Sequence, residues 1–366
     1  MKDAVFVISE FNPFHFGHAH LTAELHKEFD TVVCLMSGAF VQRGTPACAD
    51  KYSRAKAAVL GGADLVIELP FPYSCLSARD FARAGVRLGV SLGAKAFGFG
   101  AENDFEQIKN ASSVVTEEAV RAAMERDGRL SYPKAASAVM RENGIESDLL
   151  SKPNNILALE YLRAAGEFAP KAGLFAVKRG LSFASSSAIR AQTPENRRSL
   201  VPETTYETLK DRSVPENALD TAIMAFWRAG GIKETYGADE STVFRVKNAV
   251  MTCSTVEEAC EKAASATLTK ARVRRTLING FFGVTPGLAL KAPSFALLLA
   301  SGPKGRAYLS AHKKEFSVPL ITKPADYKSA GDEAISDFEF ALCAERVYAL
   351  ACKGYNPLSA TPFSCT

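Results

Sequence analysis

Four short apolar runs near the N-terminus, "AVFVIS" (4–9), "TVVCLMS" (31–37), "DLVIELP" (64–70) and "AKAFGFG" (94–100), alternate with three stretches of helical period: "HFGHAHLTAELHKEF", "DKYSRAKAAVLGGA" and "SARDFARAGVRLGVSLGA". Runs this short and rich in β-branched and aromatic residues read as strands covered on both faces, and helices between successive strands force parallel connections. The pattern predicts an α/β fold, a Rossmann-like doubly wound parallel sheet with helices on both sides. "GLFAVKRG" (173–180) offers one more strand. From about Arg190 the texture turns mostly helical, as in "ENALDTAIMAFWRAG" and "TKARVRRTLINGFFGV", and the apolar piece "FSVPLITKP" (316–324) interrupts it. Two domains are expected: an α/β unit over 1–192 and a mostly helical unit over 193–366.

Composition excludes several classes. A chain of 366 residues that is 47% hydrophobic and 23% charged has ample material for a core, and its net charge of +4 permits a polyanionic partner without requiring one. No apolar run approaches the roughly 18 residues of a membrane span, so no membrane partner is expected. "MKDAVFVISEFNP" breaks its apolar run too early for a secretory leader. The eight cysteines (34, 48, 75, 253, 260, 343, 352, 365) include no Cys-x-x-Cys pair, which argues against a structural zinc site and against a disulfide framework. A cytoplasmic location is expected. Oligomeric state is not specified by any of these features.

Chemistry concentrates in "SEFNPFHFGHAH" (9–20), which holds three of the chain's five histidines. It follows the first predicted strand, and ligands of parallel α/β sheets bind at the carboxyl ends of strands. Asn12-Pro13 starts a turn, and the next helix should begin near His15–His18. Residues three apart share a helical face, so both imidazoles should point the same way. The helix start favours an anion, and Gly17 lets a ligand approach closely. Together these make a cradle for phosphate oxygens whose charge grows as pyrophosphate leaves. His20 is assigned to the helix rather than the chemistry. Capping and packing of a helix is the plainer role for such histidines, and zinc is the other chemistry open to 15, 18 and 20. No carboxylate or cysteine completes a ligand pattern nearby, so no metal ligands are assigned.

Further blocks carry weaker signals. "ASSSAIR" (184–190) offers Ser185, Ser186 and Ser187 at a helix start, with Arg190 one turn on, a second phosphate-binding candidate that would otherwise be a helix cap and a surface arginine. "FGFGAEN" (97–103) puts Gly98 and Gly100 at a strand end. Asn154 and Asn155 precede an amphipathic helix, where asparagine is often a cap. Gln42 and Arg43 lie in the polar loop "SGAFVQRGTPA" (37–47), where they could reach a bound acyl-adenylate or an RNA phosphate or simply make an ordinary surface turn, and the charges of Asp50, Lys51 and Arg54 could merely solvate the helix they open. "LTKARVRR" (268–275) carries Lys270, Arg272, Arg274 and Arg275 with no acidic residue; as a helix, Arg272 and Arg275 would form a basic stripe for RNA phosphates or simply a solvated face.

His15-Phe-Gly-His18 resembles the HxGH signature of the nucleotidyltransferase superfamily, and the longer "EFNPFHFGH" is similar to one branch, the bacterial tRNA(Met) cytidine acetate ligases. The blocks at 36–74, 97–103, 152–162, 177–179 and 184–190 agree with that branch, and those at 268–275, 302–309 and 319–324 match it less tightly. One departure is a shorter stretch between Arg179 and Ala184 than the branch usually has. The resemblance implies ATP as substrate, with magnesium on its phosphates and no dedicated protein cage, and acetate and elongator tRNA(Met) as partners. It implies an acetyl-adenylate intermediate and N4-acetylcytidine at the wobble position as product. The implied catalytic residues are His15, His18 and Arg190. Implied ATP contacts are Val7, Ile8, Ser9, Glu10, Phe11, Asn12, Pro13, Phe14, His15, Phe16, Gly17 and His18, then Gly100, Asn154, Arg179, Ser186 and Ser187. Lys270, Arg272, Arg274 and Arg275 are the implied tRNA contacts. The residues by themselves support α-phosphate chemistry on a nucleotide. A small-molecule adenylyltransferase, or an RNA-binding protein with a relic nucleotide site, would share them.

Overall fold

The computed structural model describes residues 2–145, 149–180 and 183–365. An eight-stranded sheet organises them: β1 (Lys2–Ser9), β2 (Phe29–Ser37), β3 (Leu65–Leu69), β4 (Ala96–Ala101), β5 (Gly173–Lys178), β6 (Ala296–Ser301), β7 (Leu320–Ile321) and β8 (Phe363–Ser364). The order is β5-β4-β1-β2-β3-β6-β7, with β8 also pairing β6. β1 to β5 are mutually parallel. The chain moves outward from β1 to β3, then crosses back to place β4 on the other side of β1, which is the doubly wound arrangement the alternating runs predict. The switch point between β1 and β4 is where such sheets bind ligands.

Helices α1 (Phe16–Leu25), α2 (Lys51–Leu60) and α3 (Ala78–Ser91) connect the first four strands. Local chemistry starts each of them: Asp50 caps α2 by accepting from the Ser53 N–H, and Ser77 caps α3 by accepting from the Asp80 N–H. Three short helices follow β4, and then α4 (Pro153–Phe168) runs back beneath the sheet to β5. After α5 (Ser186–Arg190) comes the helical stretch that contains α6 (Lys270–Phe281).

The sheet does not end at residue 192. β6 pairs antiparallel with β3 and carries β7 and β8, so residues beyond 295 return to the first sheet. "ALLLAS" is built from good helix formers, and its strand character comes from burial between β3 and β7 rather than from propensity. Helix α7 (Asp332–Ala349) sends Glu345 into the same region. There Glu345 accepts from the Ala39 N–H at 3.0 Å and lies 3.3 Å from Lys51 Nζ, which also bonds both Glu68 oxygens at 2.9 and 2.8 Å. Lys51 and Arg54 therefore do not solvate α2; they are 4% and 0% exposed. Arg54 donates to the carbonyls of Glu10 and Ser37 at 2.7 and 2.9 Å, clamping together the loops that leave β1 and β2. Among the described residues no helix is long and apolar enough to cross a membrane.

Candidate nucleotide site

A cleft of about 850 Å³ opens at the carboxyl ends of β1, β4 and β5. Its wall takes in Val7, Ile8, Ser9, Glu10 and Phe11 from the end of β1, with His15, Gly17, His18 and His20 beyond them. Gly100, Asn154, Arg179, Ser186, Ser187 and Arg190 complete the predicted set that reaches it. Four predicted residues do not line it. Asn12 turns its side-chain oxygen to the Cys48 N–H at 2.6 Å, Pro13 faces a smaller cavity behind, Phe14 is buried in the core, and Phe16 points to solvent at 43% exposure. Their part is to shape the turn: its carbonyls and rings place the histidines.

His15 is the N-cap of α1, and its Nδ1 accepts the Gly17 N–H at 3.0 Å, while His18 Nδ1 accepts the His15 N–H at 3.3 Å. The rings stack with centroids 3.8 Å apart. A peptide N–H can only donate, so each Nδ1 is bare and each neutral ring carries its proton on Nε2. The glycine follows from the same geometry, because a Cβ at position 17 would lie 2.9 Å from His15 Cε1. The Gly17 N–H at the helix start is thus occupied by an imidazole, which becomes the donor in its place. Burial, together with the Arg179 charge, pulls His15 from 6.5 down to about 4. Burial, His15 and Arg179 pull His18 well below its ordinary value. The pair offers uncharged donors. His20 reaches the wall too, packed on Phe183 at 5.5 Å, a position its assignment to the helix did not foresee.

Cations face the histidines. Arg190 donates to the Asn12 carbonyl and the Glu216 carboxylate, both at 2.7 Å, and to Ser187 Oγ at 3.4 Å. Three directed contacts fix its guanidinium over the turn that carries the motif. Arg179 extends the β4–β5 pairing through its N–H to the Ala101 carbonyl and holds the Ala184 carbonyl at 3.1 Å. Ser185 caps α5, leaving Ser186 and Ser187 at the cleft. Leu181 and Ser182, within the shortened stretch, lie outside the described residues.

The two glycines of "FGFGAEN" divide their work. A Cβ on Gly98 would meet Leu25 Cδ1 at 2.8 Å, whereas one on Gly100 would meet nothing within 4 Å. Gly98→Ala should therefore destabilise the fold by about 1–3 kcal/mol through overpacking. Gly100→Ala should fold normally and intrude on the cleft instead. Thermal unfolding and ATP-analogue titration of the two variants check the pair. The asparagines divide likewise. Asn155 is 0% exposed and bonds Glu102 N–H, Asn103 N–H, Asn103 Oδ1 and the Leu149 carbonyl, while Asn154 lies on the cleft, donating to Glu102 at 2.6 Å.

Across the cleft the loop after β2 presents Arg43, exposed and without a hydrogen bond or ion pair among the described residues. Of the basic residues on α6, Arg274 lines the cleft and pairs with Glu257. Arg275 is turned inward toward the Gln42 carbonyl at 3.4 Å and does not share an exposed stripe with Arg272. Lys270 bonds Glu261 at 2.7 Å and Arg272 the Gly237 carbonyl at 2.9 Å. Sequence reasoning did not pick out Tyr161, Phe81 and Glu216 as cleft residues, since they come from elements whose local pattern signals only packing or a loop.

The HIGH Nucleotidyl Transferase family matches residues 1–360. The tRNA(Met) cytidine acetate ligase of Lysinibacillus sphaericus is 32% identical over 365 residues, covering 88% of this chain and 89% of that protein. That of Caldanaerobacter subterraneus subsp. tengcongensis is 31% identical over 387 residues, covering 96% of each. The crystal structure of Thermotoga maritima TmcAL bound with alpha-thio ATP superposes with a TM-score of 0.89 at 24% identity, covering 100% of this chain and 99% of that one, which shows the shared fold. A histidine pair at the switch point, a family match over almost the whole chain and these relatives agree: the chain belongs to the HIGH nucleotidyltransferases, in their tRNA(Met) cytidine acetate ligase branch.

Proposed function

We propose that this chain is an ATP-dependent ligase that acetylates N4 of the wobble cytidine of elongator tRNA(Met). Acetate attacks the α-phosphate of ATP, the acetyl–phosphate bond forms, and pyrophosphate leaves. The observation that carries this step is the pair of stacked, neutral imidazoles presenting Nε2–H donors to the cleft opposite Arg190 and Arg179. Donors held in advance where charge develops need no reorganisation as it develops, which favours the departing pyrophosphate over the ground state. Gly100 and Asn154 would take the adenosine end, and Ser186 and Ser187 the phosphates. Magnesium that accompanies the nucleotide would take its ligands from phosphate and water, since no group of three His, Cys, Asp or Glu side chains among the described residues could hold a metal ion.

The cytidine amine then attacks the acetyl carbonyl, and AMP leaves. A base in a single-stranded anticodon loop is turned out more easily than one in a duplex. The helical segment over 193–290 is the proposed tRNA-docking unit, with Lys270 and Arg272 on its outer side and Arg274 at the cleft mouth. The substrate assigns the work to the cytoplasm.

The test is acetate-dependent exchange of labelled pyrophosphate into ATP, followed by transfer of labelled acetyl to elongator tRNA(Met). No exchange with acetate sinks the ligase reading, and exchange without transfer moves the acceptor to another molecule. Arg274→Ala is expected to weaken tRNA binding and to lower its salt slope by about one, with exchange retained.

A further inference from the structure

Acetyl transfer needs something the histidine pole lacks, which is a place for a proton. The exocyclic amine of cytidine shares its lone pair with the ring, and it becomes an amide only by losing one N–H proton. His15 and His18 are poor receivers, because both Nδ1 atoms are engaged by peptide N–H groups and both Nε2 atoms already carry hydrogen. Among the described residues three carboxylates line the cleft: Glu10, Glu102 and Glu216. Glu102 is taken by the Asn154 side chain and the Asn155 N–H, and Glu216 by Arg190.

Glu10 is different. Its Oε1 accepts the Gln42 N–H at 2.9 Å, and its other oxygen receives no hydrogen bond among the described residues. Arg54 fixes its carbonyl at 2.7 Å, and Phe11, the next residue, is held in the left-handed region at φ 42, so the backbone on both sides is constrained. This carboxylate stands at the end of β1 on the cleft wall, and the unpaired Arg43 lines the same cleft from the loop that binds Oε1.

Resting on the ligase reading, we propose that Glu10 is the general base of acetyl transfer, taking the N4 proton of the acceptor cytidine on its free oxygen. As N4 attacks, the N–C bond forms and the C–O bond to the adenylate phosphate breaks. AMP departs with that electron pair, and the proton passes from N4 to Glu10.

Electrostatics suit the role. Burial raises the Glu10 carboxyl above its ordinary 4.5, which makes its carboxylate a stronger base than a solvated one. The Gln42 N–H and the charges of Arg190, Arg43 and Arg54 oppose that rise and keep the carboxylate available. Tyr161 and Cys75 also face it, and burial pushes both upward, so they stay neutral. The transfer rate should then climb with pH through the titration of Glu10 and level off above it.

The experiment compares full-length wild type, Glu10→Gln and Glu10→Asp. Acetyl-adenylate is either formed from ATP and acetate or supplied directly, so a variant weak in activation is still readable. Hydroxylamine, a nucleophile that needs no enzyme base, traps the intermediate as acetohydroxamate. Single-turnover transfer to elongator tRNA(Met) is followed from pH 5 to pH 8.5. In Glu10→Gln, transfer should fall relative to hydroxamate formation by roughly 10²–10⁴-fold, with the rising pH limb gone. Glu10→Asp should keep the limb at a reduced rate. A ratio that changes less than about ten-fold, or a limb that survives in Glu10→Gln, overturns the assignment. Absence of exchange in the wild type would instead remove the ligase reading on which it rests.

Discussion

Replacing His18 with alanine is expected to cut acetate-dependent pyrophosphate exchange by roughly 10²–10³-fold, the loss typical of deleting one preorganised donor where charge develops. The ring also has a structural duty: its Nδ1 holds the His15 N–H, and it packs against Phe11, Phe14 and His15. His18→Asn separates the two, because an amide oxygen can take over the Nδ1 contact while nothing replaces Nε2–H. Exchange should be lost in both variants, and stability should suffer mainly in the alanine. The depressed imidazoles add a pH dependence. Between about 4 and 6.5 the unfolded chain binds protons that folded His15 refuses, so stability rises with pH across that window and is lost as pH falls through it. Urea midpoints at pH 7.5 and pH 5 should therefore diverge more for wild type than for His18→Asn. ATP should narrow the wild-type difference, since a polyphosphate against the rings favours their charged form.

Lys51→Met should destabilise the protein by about 3–5 kcal/mol near neutral pH, because it leaves two buried carboxylates without their cation. Glu68 is 1% exposed and Glu345 3% exposed, and both reach the same ammonium. Even with the lysine present, burial pushes Glu68 up to about 7, with Glu345 adding to the rise. A carboxyl raised in this way contributes stability below its unfolded value near 4.5 and loses it as pH climbs through 7. Without Lys51 the rise is larger, so the penalty should be small at pH 5, where one carboxyl can stay protonated, and largest at pH 8. Denaturant unfolding at both values reads it directly, and adding Glu345→Gln should recover part of the loss.

The first half of the sheet was legible in the sequence, and so was the placement of the histidine motif at its switch point. Periodicity gave β1 to β4 and the three helices between them, because these short apolar runs are strands largely buried on both faces; β5, at the sheet edge and half-buried, was legible only as one more apolar run. The His15–His18 spacing predicted rings on one face, and the structure stacks them, although the occupation of Gly17 N–H by an imidazole depends on a ring torsion that no residue spacing encodes. β6 went unread because "ALLLAS" has helical propensity, and only a partner strand far away in sequence makes it extended. Lys51 and Arg54 read as surface charges for a related reason: apart from the Ala49 carbonyl, their carboxylate and carbonyl partners lie 16 to 294 positions away. Arg275 looked like half of a stripe with Arg272, and only the packing of α6 against the loop after β2 turns it inward.

The bare Nδ1 atoms also bear on which ions the cleft admits. A metal ion needs a nitrogen lone pair, and in both rings that lone pair already faces a peptide N–H that cannot be turned around. What remains outward is hydrogen on Nε2, which repels cations and attracts oxyanions. Three histidines within six residues would elsewhere invite zinc or copper. Here the helix start turns the pair toward anions as hydrogen-bond donors instead of toward metals as ligands.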